Sequence, residues 1–428
     1  MAYDKMRKCM NVSNVCLLFF HLVLIFWPII FAYYQIALGN FNFTFLQILY
    51  QILPPTALGT LAVIGAKSDR SLFNNFQVST PKILIFVMFL GVATVAPILK
   101  MPNPQVHLLV VYVKVVLLIL GIYSGIWLSE RSEKLYALFV CSLCLGYVFF
   151  VFVVFPILPE FFEESQLSWN NGIIPFFNIR RFTHLILMSV AACTGLAIWI
   201  ARLPRGRGIL LAKALIFVYL IFGWTIIFWA GSRAPIFAYI GVTILLMVLL
   251  PRKDKIAYVV FWIGPSVLAL SITDKMSGLG WSRSIWVRVS EAVDASSINQ
   301  ISSGRIDLWS LALENFVKSP LLGHGHETFL LLGGPVQTPH NFLLEMLHDF
   351  GIIGGLPVLL FVFIGVSALV LRSYRADFPG PALPGLLVIA IMVLQSFVDG
   401  VITGYYRLFL FALFWTYTSR YLQKLSLR

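Results

Sequence analysis

Runs of about twenty apolar residues recur along the whole of this 428-residue chain, and most are bounded by short clusters of lysine and arginine. Twenty residues of helix span about 30 Å, the hydrocarbon thickness of a bilayer. Lipid offers no water to satisfy backbone N–H and C=O groups. Repeated segments of this kind therefore fold as helices that close their hydrogen bonds internally. The runs fall at about 14–38, 44–65, 82–99, 107–128, 135–157, 182–201, 209–230, 234–250, 256–273, 352–371, 383–402 and 405–421. The expected fold is an all-α polytopic membrane protein of about twelve transmembrane helices with one long periplasmic loop containing short helices. Only 11% of the residues are charged, against about 25% in a soluble domain, too few to cover a water-facing surface. No internal repeat of the kind found in many transporters is evident.

A formal net charge of +13 raises the question of nucleic acid. The basic residues, however, lie in clusters between apolar runs, which is a topology signal, and no nucleic-acid partner is expected. With the N-terminus in the cytoplasm, 20 of the 31 lysines and arginines fall in cytoplasmic segments, and every such segment contributes. Lys114 lies within a span. Lys5, Arg7 and Lys8 precede a first apolar run that is too long for a signal peptide and ends without a small-x-small cleavage site, so it reads as an uncleaved span. Cys141 and Cys144 form a CxxC inside an apolar run, where packing explains them better than metal or redox chemistry. No disulfide is expected.

This alternation divides the chain into spans one to nine over 1–273, a long outer loop over 274–351, and spans ten to twelve over 352–428. A shorter outer segment falls at about 158–181. Residues that do chemistry are to be sought on these two outer segments and at nearby span ends.

The long loop contains SSGRIDLWSLALENFVKSPLLGHGHETF. Ser302 or Ser303 can cap a helix starting near Arg305 and ending at Ser319-Pro320, with Ile306, Trp309, Leu313 and Phe316 as its packing face. Arg305 adds positive charge to the positive end of that helix, which suits an anion such as phosphate. Spacing alone does not separate this from a surface arginine. Further on, GGPVQTPHNFLLEMLHDFGIIGG places Asn341 or Thr338 to cap a helix over about 342–350, with Gly351 ending it in a left-handed turn. His340 at its start is either a proton acceptor or a surface histidine. His324, His326, His340 and His348 raise a metal reading, but no cysteine or well-spaced carboxylate completes a set. No metal and no other cofactor are expected. Arg233, in the GSRAP turn between two apolar runs, and Arg180 and Arg181, in FFNIRRFTHL at the entry to a span, share the outer face with His340. Charge so close to hydrocarbon is functional or paired. Arginine's planar fork binds phosphate oxygens bidentately. Asp399, at the outer end of a span, can orient an arginine or His340, or form a purely structural ion pair.

Taken together, SGRIDLW, PLLGHG and HNFLLEMLHDFGIIGG on the long loop, the GSR turn and the F-x-N-x-R segment resemble the O-antigen ligase family of Wzy-type ligases and polymerases. The resemblance covers the topology and about 70 residues of the loop. It implies a glycosyltransferase that moves a glycan from undecaprenyl diphosphate to an acceptor hydroxyl at the periplasmic face of the inner membrane. The acceptor would be lipid A-core for a ligase, or a lipid-linked glycan for a polymerase. It further implies His340 as catalytic base, with Arg305, Arg233 and Arg180 on the diphosphate and Asn341 and Asp399 in support. Shifting the alignment by one residue exchanges Arg180 with Arg181. A lipid-linked oligosaccharide transporter would instead show ionisable or helix-breaking residues near mid-membrane, and a non-enzymatic scaffold gives no reason for arginines in membrane-edge turns.

Overall fold

A computed structural model describes residues 15–26, 43–67, 80–100, 104–154, 179–276 and 284–427, apart from positions 205, 327, 337 and 379. The described residues are helical with no strand. In chain order the helices are α1 (Val15–Phe26), α2 (Phe43–Lys67), α3 (Thr80–Lys100), α4 (Pro104–Ser129), α5 (Glu133–Val154), α6 (Ile179–Ala201), α7 (Arg207–Trp229) and α8 (Arg233–Leu249). Next comes α9, which runs Arg252–Tyr258, passes a π turn at Val259–Ile263 and continues as Gly264–Met276. Three helices of the loop follow: α10 (Ile285–Val293), α11 (Ile298–Ile301) and α12 (Arg305–Lys318). The remainder are α13 (Phe342–Phe350), α14 (Leu356–Arg375), α15 (Leu383–Asp399) and α16 (Tyr405–Ser426).

Among the described residues, six helical stretches are long and apolar enough to cross a membrane: His107–Ser129, Thr183–Ala201, Arg207–Trp229, Arg252–Lys275, Phe342–Arg375 and Gly380–Asp399. Four shorter apolar helices accompany them, at Val15–Phe26, Ile52–Ile64, Phe86–Leu99 and Arg233–Leu249. The expected N-terminal cluster of Lys5, Arg7 and Lys8, and the shorter outer segment up to residue 178, lie outside the described residues.

Two spans form the centre of the bundle. Thr183–Ala201 is 83% buried within the protein and Gly380–Asp399 78%, whereas the other four are 28–39% buried and turn apolar side chains outward. The central pair approach closely at Gly195, where a Cβ would meet Pro384 N at 2.5 Å. A small residue at such a crossing brings two backbones together where lipid supplies no hydrophobic drive. At one end of this pair Arg202 donates from Nε and Nη2 to the two oxygens of Asp254, at 2.9 and 2.6 Å, and from Nη1 to Phe378 O at 2.6 Å. The opposite end carries His184 and Asp399.

The long loop folds into short helices, and its local chemistry differs from expectation in two places. Neither Ser302 nor Ser303 caps α12. Ser302 Oγ donates to Asn299 O, Ser303 Oγ accepts from Arg233, and the cap position falls to Gly304 at φ 77°. The packing face of α12 is also rotated from the expected one. Leu308, Ala312 and Asn315 are buried, while Ile306 and Leu313 are exposed. The face carrying the small Ala312 packs with Leu308 and Phe329, against Trp309, Val336 and Leu344, and this close approach overrides the bulkier Ile306 stripe.

Candidate active site at the Asp399 end of the central helices

Three elements far apart in sequence converge on Asp399, the last residue of α15. Gly400 follows it at φ 54°, and this left-handed turn stops the helix. The Asp399 side chain is 6% exposed. His340 Nδ1 lies 3.1 Å from its Oδ1, and Arg305 Nη2 lies 3.9 Å from the same oxygen. His184 Nε2 lies 3.0 Å from Oδ2. Neither His184 Nε2 nor Asp399 Oδ2 forms a hydrogen bond of full geometry with any group among the described residues, so this 3.0 Å contact is the nearest polar approach that either is given. Behind His184, Arg407 Nη1 is 2.9 Å from His184 Nδ1.

Local structure presents each group. His340 stands immediately before α13 with φ 53°, a conformation that is uncommon for a residue with a Cβ and marks a position held by its surroundings. Those surroundings are visible. Asn341 is the N-cap of α13: its Oδ1 accepts from Leu344 N at 3.2 Å, and its Nδ2 donates to Phe397 O at 2.9 Å. One side chain thus starts the helix and ties it to the final turn of α15. Arg305 is launched by two consecutive left-handed residues, Ser303 at φ 59° and Gly304 at φ 77°. Of the expected site residues, the structure brings His340, Asn341, Arg305 and Asp399 together.

Arg233 opens α8 after the turn at Gly231. Its Nη1 donates to Ile301 O and, at 3.2 Å, to Ser303 Oγ. Its Nη2 lies 3.7 Å from Glu291, which also holds Arg288 at 2.8 Å. Arg233 therefore grips the turn that delivers Arg305. Positions 180 and 181 lie in the first turn of α6, one turn before His184, and their side chains lie outside the described residues.

His184 and Arg407 were not singled out from the sequence, although each carries a signal: an ionisable residue within the first turns of an apolar helix. Lys114, seen only as a charge within a span, proves to be part of a second buried network. Its Nζ lies 2.5 Å from His326 Nε2. His326 Nδ1 lies 2.9 Å from Asp349 Oδ2, and His348 Nδ1 lies 2.7 Å from Asp349 Oδ1. His107 Nδ1 donates to His326 O at 2.8 Å. His326, Glu345 and Asp349 bring donor atoms within 4.8 Å of one another, as a metal site would. Two carboxylates four residues apart on α13 thus join His326, a grouping the sequence spacing did not reveal. An ammonium against the histidine repels a further cation, and the arrangement reads as a charge network that seats the His324–His326 turn on α4. Backbone bonds from His324 N to His348 O and from Gly325 N to Asp349 O, both 2.9 Å, complete that seat.

A buried carboxylate that fixes one nitrogen of a half-exposed histidine leaves the other nitrogen to take a proton, and a neighbouring guanidinium can hold an anion beside it. No curated protein matches the chain. Residues 216–359 match the family model described as O-Antigen ligase, a stretch that takes in Arg233, Arg305, His340 and Asn341 while leaving His184, Asp399 and Arg407 beyond its ends. Over residues 216–359, about a third of its length, the chain is similar to the O-antigen ligase family.

Proposed function

We propose that this protein is a membrane glycosyltransferase that moves a glycan from undecaprenyl diphosphate to a lipid A-core hydroxyl. In this reading it lies in the bacterial inner membrane, both termini are cytoplasmic, and the site faces the periplasm. The observation that carries the reading is the meeting of His340 and Arg305 on Asp399 at the end of the central helices. His340 Nε2 takes the acceptor's proton as the hydroxyl oxygen attacks the anomeric carbon. The bond from that carbon to the diphosphate oxygen breaks, and its electron pair leaves with the lipid diphosphate. One displacement inverts the anomeric centre. Arg305 stabilises the charge that grows on the leaving group, as a fixed donor does without reorganisation. Arg180 and Arg233 complete the diphosphate site, and Arg233 also holds the turn before Arg305. The polyprenyl chain lies between spans, against apolar side chains. The chemistry uses no metal.

The rival within the same chemistry is a polymerase, whose acceptor is a second lipid-linked repeat. Deleting the gene and comparing the two glycan pools separates them. Loss of a ligase leaves bare lipid A-core, with long polymer retained on the carrier. Loss of a polymerase leaves core bearing at most one repeat. Unchanged glycans in both pools contradict both readings.

A further inference from the structure

We infer that His184 and Arg407 are positioning residues that hold Asp399, and through it His340, in the protonation pattern that leaves His340 Nε2 able to accept a proton. The inference rests on the reading of His340 as the base.

The argument follows donors and acceptors from the far end. A guanidinium only donates. With Arg407 Nη1 at 2.9 Å, His184 Nδ1 must accept, so the ring carries its proton on Nε2. That N–H is the donor facing Asp399 Oδ2 at 3.0 Å. One carboxylate oxygen is then occupied, and Oδ1 remains for His340 Nδ1 at 3.1 Å. A carboxylate accepts, so His340 donates from Nδ1 and its Nε2 carries a lone pair. Each link fixes the next, and no member is free to turn over. A second proton on His184 would have to enter the nitrogen already facing Arg407, so this ring stays neutral.

His184 cannot itself be the base. Its side chain is 2% exposed, and both its nitrogens face protein groups. The burial that denies it substrate is what suits it to support. The α6–α15 pair is the most enclosed part of the bundle, so a donor mounted there holds Asp399 from the rigid side, while His340 approaches from the loop. Tying the loop histidine to the bundle centre keeps the proton acceptor at one place relative to the membrane edge, where the lipid diphosphate lies. Asp399 without His184 would keep a buried oxygen without a donor and could rotate toward Arg305, drawing the carboxylate away from His340 and pairing the guanidinium needed by the leaving group.

The test is a kinetic comparison of full-length variants in lipid nanodiscs. The donor is lipid-linked glycan extracted from cells lacking this chain, and the acceptor is lipid A-core or the same lipid-linked glycan. His184→Phe should lower kcat about 10- to 100-fold, a part of the roughly 10²–10⁴-fold that a well-positioned general base contributes, and change KM for the donor less than about threefold. His184→Gln keeps an N–H toward Asp399 and an oxygen toward Arg407, and should recover at least a third of the rate. Arg407→Met, which releases His184 without emptying its cavity, should lower kcat about tenfold and add nothing to His184→Phe. In a His340→Ala background neither change should lower the residual rate further, because residues acting through one partner are not additive. Wild-type kcat in both His184→Phe and Arg407→Met overturns the inference, as does a loss that appears only in KM, or one that adds fully to His340→Ala. Should His184→Phe not fold, the Gln and Met variants decide alone. Full activity of His340→Ala would overturn the base itself, a separate result from an inactive His340→Ala beside an unaffected His184→Phe.

Discussion

Asn341 and Phe397 are joined across 56 residues by a single hydrogen bond, Nδ2 to carbonyl at 2.9 Å. Because Asn341 also caps α13 and follows His340 directly, this one side chain sets the helix start, its distance from α15 and the placement of the histidine. Asn341→Ala removes a cap, worth about 1 kcal/mol, and leaves the half-buried Phe397 carbonyl without its donor, worth about 1 kcal/mol more. The expected outcome is a loss of about 1–2 kcal/mol in unfolding measurements in detergent, together with a fall in transfer rate. Asn341→Asp should restore the cap without restoring the donor to Phe397, so its stability should exceed that of the alanine variant more than its rate does.

Asp399→Asn leaves the shape of the side chain but swaps one acceptor oxygen for a donor amide. Whichever way the amide turns, either His340 Nδ1 or the His184 Nε2–H meets a donor in place of an acceptor. The rate should fall about a hundredfold or more, as when a histidine base loses its orienting carboxylate. Donor binding, measured by titration of the lipid-linked glycan, should change little. An unchanged rate would remove Asp399 from the mechanism.

How much of this could be read without coordinates depends on how local the chemistry is. The cap at Asn341 follows from residue type and neighbours and is present; Gly351 ends α13 at positive φ as expected, but its ψ of −165° puts it in the extended region open to glycine rather than in a left-handed turn. The membrane-crossing character follows from composition alone. The meeting of His340 with Asp399 links positions 59 apart, and only the packing of α13 against α15 creates it. His184 and Arg407 stayed hidden because one ionisable residue at the edge of an apolar run reads equally well as a span boundary. The buried face of α12 departs from the bulky Ile306 stripe because Leu308 and Ala312 pack with Phe329 while Ile306 and Leu313 stay exposed, a choice made by a partner distant in sequence. The grouping of Glu345 and Asp349 with His326 is not legible from spacing, because His326 arrives from a turn outside their helix.

Gly351 joins α13 to the π turn that leads into α14. Its φ is 62°, and a Cβ there would meet Leu321 O at 2.3 Å. Gly351→Ala combines the strain of a positive φ with ψ −165°, a region essentially reserved for glycine and costing about 1–3 kcal/mol, with a clash against backbone that cannot swing aside. We expect a loss of at least about 2 kcal/mol in unfolding, and faster hydrogen exchange of the Ile352 and Ile353 amides, which donate to Pro320 O and Leu321 O. A fully stable Gly351→Ala would contradict this account of the turn.

Lys114 is the cation of the second network, facing His326, which in turn holds Asp349. Lys114→Met leaves buried carboxylate charge without its counter-charge, which costs roughly 3 kcal/mol. Lys114→Met combined with Asp349→Asn removes both charges and should be less destabilised than the sum of the two single changes. Additive thermal shifts would show that the two residues do not act as a unit.

The most direct measurement of the central claim is the transfer rate of purified His340→Ala in nanodiscs, with lipid-linked glycan as donor and a hydroxyl acceptor supplied at saturation. The account predicts that the folded variant binds the donor as the unmodified chain does and transfers glycan at least about a hundredfold more slowly. Transfer at the unmodified rate by a folded His340→Ala protein would contradict it.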